Sequence, residues 1–141
     1  MTSESKILTW DDITPGKRED LAFSVSEEDM RTFAELSGDW NPIHTDPEFA
    51  KRKGFDGTLV YGGLLTAQIS KFLGMLLPGR DGLWTGLNIQ FKTPLMVGEP
   101  ACLEVEVENK SEAAKMINLK IRITTGDTVV AVAKVEILFV E

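Results

Sequence analysis

The chain has 141 residues, 43% apolar and 26% charged, a length and balance that suit one globular domain spanning residues 1–141 and leave no room for two. Twenty-two acids against fifteen Lys and Arg give a net charge of −7, which excludes a nucleic-acid backbone or an anionic membrane as the main partner. One cysteine, Cys102, and one histidine, His44, exclude an internal disulfide and a mixed Cys/His zinc site within one chain, so no metal is expected.

In chain order, Met1 to Lys6 lacks the apolar stretch of a signal peptide, and nowhere does the sequence reach the ~18 unbroken apolar residues of a membrane span. A cytoplasmic location is therefore expected. A short strand is expected from Leu21 to Val25. Ser26 then precedes Glu27, Glu28 and Asp29: a hydroxyl cap, acids in the positive first turn, and capping-box spacing from Ser26 to Asp29. Met30, Phe33, Ala34 and Ser37 follow at helical spacing, and Gly38 is the expected left-handed stop. A second helix starts at Asp46-Pro47, with the carboxylate as cap and proline at the first helical position, and ends near Gly54. The segment Gly62 to Leu77 is apolar almost all round, which predicts a buried helix stopped by Pro78-Gly79.

From Leu83 the period becomes two. Leu87, Ile89 and Phe91 alternate with polar residues, as do Leu103, Val105 and Val107, then Ile117, Leu119, Ile121 and Ile123. Short connections between these runs demand antiparallel neighbours, and the Lys120/Arg122 face can lie beside the Glu104/Glu106 face. Gly126-Asp127 turns the chain into a last strand, Val129 to Val140, that reads as apolar on both faces and so calls for cover from a second copy. The class is α+β: a curved antiparallel sheet wrapped around one long buried helix.

Chemistry concentrates between the first two helices, where Ser37 to Pro47 holds Asp39, Asn41 and the only imidazole, His44. Pro42 bends this segment, so Asp39 and His44 can turn toward one cavity. Helix capping by Asp39 is the alternative, and spacing alone does not choose between them.

The run from Phe33 to Ala50, centred on Ser37-Gly38-Asp39-Trp40-Asn41-Pro42-Ile43-His44, resembles the MaoC-like hot-dog proteins, especially (R)-specific enoyl-CoA hydratases. The resemblance continues through Leu59-Val60-Tyr61-Gly62-Gly63-Leu64-Leu65 and Asn88 to Leu95. It implies a hot-dog homodimer with sites near the subunit interface and reversible addition of water to a trans-2-enoyl thioester of coenzyme A or an acyl carrier protein, giving an (R)-3-hydroxyacyl product. No metal or redox cofactor is implied. Asp39 and His44 match the family's acid and imidazole, Gly62 its backbone donor to the thioester oxygen, and Ser70 a serine of the site; Asn41 is expected to orient the loop or the water. An oxyanion donor fits the chemistry, because water adds to the β-carbon only if charge growing on the thioester oxygen is stabilised.

One departure stands out. Relatives commonly have His-Gly-Met where this chain has Tyr61-Gly62-Gly63. Tyr61 keeps a ring with a hydrogen-bonding tip, whereas Gly63 is expected to open space beside the thioester. Two other readings remain: a hot-dog thioesterase, and a catalytically silent thioester-binding or assembly subunit. Lys51-Arg52-Lys53 is a candidate for carrier phosphates, with a solvated helix end as the alternative. Trp10, Trp40, Trp84 and Cys102 are expected to pack in the interior.

Overall fold

The computed structural model describes residues 4–141; Met1 to Ser3, where the expected absence of a leader begins, lie outside the described residues. A 3-10 turn at Trp10–Asp12 leads to β1 (Arg18–Phe23) and then to α1 (Glu27–Ser37), α2 (Pro42–Thr45), α3 (Pro47–Arg52) and α4 (Gly62–Met75). Four strands complete the chain: β2 (Gly82–Phe91), β3 (Ala101–Ser111), β4 (Met116–Thr125) and β5 (Thr128–Phe139).

The local signals act as expected. Ser26 Oγ accepts the Asp29 N–H at 3.0 Å while Asp29 Oδ2 accepts the Ser26 N–H at 2.9 Å, a reciprocal box that opens α1. Gly38 closes it at φ +77°, a left-handed position that disfavours residues with a Cβ. Asp46 caps α3 as predicted, its Oδ1 accepting from Glu48 N at 3.0 Å and Phe49 N at 3.3 Å. The single turn α2 was not anticipated: Asn41 Oδ1 accepts from Ile43 N at 3.0 Å and starts a helix where only a bend is expected.

The strands form one antiparallel sheet in the order β1-β3-β4-β5-β2, the hot-dog architecture with α4 against one face. Leu65, Ile69, Phe72 and Leu73 of α4 share one core with Leu103, Val105, Leu119, Ile121, Val135 and Ile137 of the sheet. On the other face Glu104 lies opposite Arg122 and Glu106 opposite Lys120, the cross-strand pairing that alternation predicts.

Three expectations are corrected. The strand lacking cover is β2: β5 is central, flanked by β4 and β2, and its outer face carries Lys134 and Glu136. β2 is an edge, with Leu83, Leu87 and Phe91 exposed at 54%, 41% and 53%. Second, α4 is not buried all round, because Gly63, Ala67 and Ser70 form an exposed stripe at helical spacing. Third, Trp10 is buried and Trp84 half-buried, but Trp40 is 56% exposed, since it sits on the loop leaving α1.

Candidate active site

Asp39 follows the left-handed Gly38, so the chain turns sharply out of α1 and the loop folds on itself. Ser37 Oγ accepts the Asp39 N–H at 3.1 Å, and Asp39 Oδ1 accepts the Asn41 N–H at 3.0 Å. One carboxylate oxygen is thereby committed to the loop. Among the described residues Oδ2 has no hydrogen-bond partner, and Asp39 is exposed. Asn41, exposed as well, spends its side-chain oxygen on α2; it shapes the loop.

His44 lies in the middle of α2, half-buried, and is pinned by the strand-like segment before α4. Its Nδ1 lies 2.7 Å from the Leu59 carbonyl oxygen, while Leu59 N donates to Ile43 O at 3.1 Å. A carbonyl only accepts, so Nδ1 carries the proton and, in the neutral ring, Nε2 is left with its lone pair. The segment is held on its other side by Val60 N donating to Leu95 O at 2.8 Å and a bridge between Leu59 and Met96. The imidazole is thus registered, through Leu59, on the connection between β2 and β3.

Tyr61 joins the two. Its hydroxyl donates to the Asp39 backbone carbonyl at 2.6 Å, and its ring stacks on His44 with centroids 4.2 Å apart at 30°. Phe33 of α1 packs on the same ring at 4.6 Å. Tyr61 is 1% exposed, and burial, with the Asp39 charge second, pushes its hydroxyl above the ordinary value, which keeps it a neutral donor.

Tyr61 is also the N-cap residue of α4, and it makes no side-chain cap bond. The first-turn N–H groups of a helix have no intrahelical partner and sit at the positive end of its dipole, so Gly62 and Gly63 begin α4 without the side-chain acceptor that α1 and α3 possess. Two rings flank this opening. A Cβ on Gly62 would lie 3.0 Å from Phe91 Cζ, and one on Gly63 2.4 Å from Phe33 Cζ. The expectation that Gly63 opens space is therefore corrected: the Phe33 ring fills it. Helical spacing and strand alternation place Phe33 and Phe91 without linking them to the site; the Gly-Gly pair at a helix start is the sequence signal for a close approach there.

The structure brings Asp39, His44 and Gly62 together around Tyr61. It does not bring Ser70 to them: eight residues along α4 from Gly62 corresponds to about 12 Å of helix, and Ser70 is exposed with no side-chain partner among the described residues. Lys51 pairs with Glu48 at 3.7 Å, and Arg52 and Lys53 stand over the Phe49 ring at 5.7 and 5.3 Å, all three exposed at the end of α3. Cys102 is half-buried on β3, its thiol pushed up by burial. Two grooves of about 790 and 590 Å³ run over the sheet, both bordered by Lys120 and Arg122, the first also by Glu104 and the second by Gln90 and Lys134; no residue of the Asp39 loop lines either.

Residues 12–133 match the model of the MaoC like domain. The (R)-specific enoyl-CoA hydratase of Aeromonas caviae is 36% identical over 117 residues, covering 83% of this chain and 87% of that protein. The 3-hydroxybutyryl-CoA dehydratase of Methylorubrum extorquens is 35% identical over 131 residues, covering 92% and 83%. Among solved structures, the A. caviae (R)-hydratase superposes with a TM-score of 0.86 at 32% identity, covering 90% of this chain and 97% of that one. With residues 12–133 matching the family model and most of the length of each relative covered, the chain belongs to the MaoC-like domain family.

Proposed function

We propose that this protein is a hydro-lyase that adds water reversibly to trans-2-enoyl thioesters, of coenzyme A or of an acyl carrier protein, to give (R)-3-hydroxyacyl thioesters. The observation that carries this reading is the assembly of two proton-transfer groups, Asp39 and His44, beside an α4 start without a side-chain cap. The names of the A. caviae and M. extorquens relatives, a hydratase and a dehydratase, support the same reaction seen from its two ends.

The chemistry divides between these parts. The thioester oxygen sits against the N–H of Gly62, where the helix dipole and the flanking Phe33 and Phe91 rings strengthen a hydrogen bond to developing enolate charge; such a donor is worth ~3–4 kcal/mol of barrier. Asp39 Oδ2 and His44 Nε2 are the atoms left to exchange protons. With Nδ1–H held by Leu59, hydration requires that one of Oδ2 and Nε2 carry a proton and the other be free to take one. The unprotonated atom takes a proton from water as its oxygen bonds to the β-carbon, and the protonated one gives its proton to the α-carbon. The pair ends with one proton again, now on the other partner. No redox group takes part. The acyl chain runs along the exposed Ala67 and Ser70 side of α4, past the Phe33 ring, so that the serine hydroxyl meets the chain and not the thioester.

A homodimer completes the site. β2 is ten residues long, unpaired on its outer side and apolar at Leu83, Leu87 and Phe91, an edge that invites another strand. Phe91 sits at the end of this edge and touches the Gly62 position, so pairing there bears on the thioester pocket. Sedimentation is expected to show a dimer, weakened by Leu87→Glu; a fully active, well-folded monomer at assay concentration would overturn this.

The test of the reaction is a panel of enoyl-CoA thioesters followed by loss of the conjugated-thioester absorbance, with chiral analysis of the product. Hydration without thiol release, giving the (R) alcohol, is expected. Thiol release would make the protein a thioesterase. Binding without turnover of any enoyl thioester would make it a silent subunit.

A further inference from the structure

We propose that Tyr61 is the positioning residue of this site, tying the Asp39 loop to His44 and to the start of α4, and that it does so through its hydroxyl. The inference rests on the hydration reading above. Two contacts meet on one side chain, the hydroxyl donating to the Asp39 carbonyl at 2.6 Å and the ring lying on His44 at 4.2 Å, and the same residue's backbone leads directly into Gly62. Asn41 bonds to both from within the loop, its N–H to Asp39 Oδ1 and its carbonyl to the His44 N–H; among the described residues Tyr61 alone reaches both Asp39 and His44 from outside the loop by a hydrogen bond or ring contact. Asp39 needs such a tether, because it is exposed and its loop is otherwise held by short-range bonds: Asp39 N–H to Ser37 Oγ, Asn41 N–H to Asp39 Oδ1, and the Thr45 hydroxyl to the Trp40 and Asn41 carbonyls. The hydroxyl bond spans 22 residues, the only long-range hydrogen bond to the Asp39 main chain among the described residues.

The arrangement also accounts for the departure from the family's usual residue at this position. A phenol reaches farther from the backbone than an imidazole, and only its tip has to find the carbonyl, so the ring body remains free to stack between Phe33 and His44. Burial keeps the hydroxyl protonated, so the tether is a neutral O–H donating to a carbonyl throughout the neutral range. Tyr61 exchanges no proton with substrate; it fixes where Oδ2 and Nε2 stand relative to the Gly62 N–H. Reacting groups lose rate steeply when displaced by an ångström, which makes such a tether a matter of kcat more than of binding.

The experiment compares wild type, Tyr61→Phe, Asp39→Asn and the double variant. Tyr61→Phe keeps the ring and its stacking and removes only the hydroxyl. Its kcat for crotonyl-CoA is expected to fall about tenfold with KM within about twofold. On the Asp39→Asn background the same change is expected to alter kcat by less than about twofold, since a tether for a carboxylate that no longer transfers protons has nothing left to position. A merely structural role gives equal losses on both backgrounds, and that result, or an unchanged kcat in Tyr61→Phe, overturns the proposal.

Amide hydrogen exchange supplies a readout independent of turnover. Tyr61→Phe is expected to speed exchange at Asn41 and His44, whose N–H groups are bonded within the loop, and to leave Ile69 and Phe72 of α4 unchanged. Unchanged exchange at Asn41 and His44 overturns the tether. If wild type were inert on every enoyl thioester, the hydration reading would fall while these exchange rates still judged the tether by themselves.

Discussion

Two helix starts in this chain are built to opposite ends. At α3, Asp46 turns its carboxylate back onto the Glu48 and Phe49 N–H groups, Pro47 removes a donor that would otherwise be free, and the first turn is saturated. At α4, Tyr61 stands in the cap position but sends its hydroxyl to the Asp39 carbonyl, and two glycines follow under the Phe33 and Phe91 rings. An absent cap costs about 1 kcal/mol, a sizeable fraction of a marginal stability. The difference sets a start whose donors are spent within the chain against one whose first-turn N–H groups have no side-chain acceptor among the described residues, and it is the second that the proposed reaction would use.

The largest test of that contrast removes the two groups proposed to transfer protons beside the open start. Asp39→Asn and His44→Gln keep size and polarity, so each is expected to lower hydration kcat by about 10²–10⁴ while leaving the thermal midpoint within a few degrees. The losses are expected not to multiply, because both groups act in one transition state and the double variant should resemble the worse single one. Steady-state rates and melting curves on the four proteins decide it. Near-normal hydration in both single variants would remove the site from this end of the molecule.

How far the sequence reached follows the same division. The cap of α3, the box and glycine stop of α1, the Gly126-Asp127 turn and the Glu104–Arg122 register were legible because each is local or periodic. The open start of α4 was legible only through resemblance, since nothing in Tyr61-Gly62-Gly63 says what the phenol will meet 22 residues back along the chain. Counting apolar residues singled out Val129 to Val140 as uncovered, but cover depends on strand order, and the crossover that makes β2 an edge leaves no mark on its own pattern. Gly63 misled for a related reason: a missing side chain reads as space, while the space belongs to Phe33, thirty residues earlier.

The next test closes the open start with a side chain. Gly63→Met places a Cβ 2.4 Å from Phe33 Cζ, so the ring must move and with it the face that packs on Tyr61. Overpacking of this kind is expected to cost about 1–3 kcal/mol in urea unfolding. In a Phe33→Ala background, where the ring is gone, the same change is expected to cost less than half as much. Equal costs in both backgrounds would mean that Phe33 does not reserve the glycine.

The smallest effect belongs to the saturated start and completes the contrast. Asp46→Ala strips the acceptor from Glu48 N and Phe49 N and takes a negative charge from the positive end of α3. The exposed position lets water replace the lost oxygen, so the cost is expected to be about 1 kcal/mol, seen as a fall of roughly 3–5 °C in the thermal midpoint of a domain this size. Hydration by the folded protein is expected to stay within about twofold of wild type, since the His44 ring is held by Leu59 and Tyr61 and not by Asp46. A loss of activity approaching that of Asp39→Asn would show that the capped start serves the site as well, and the two helix starts would no longer divide stability from catalysis.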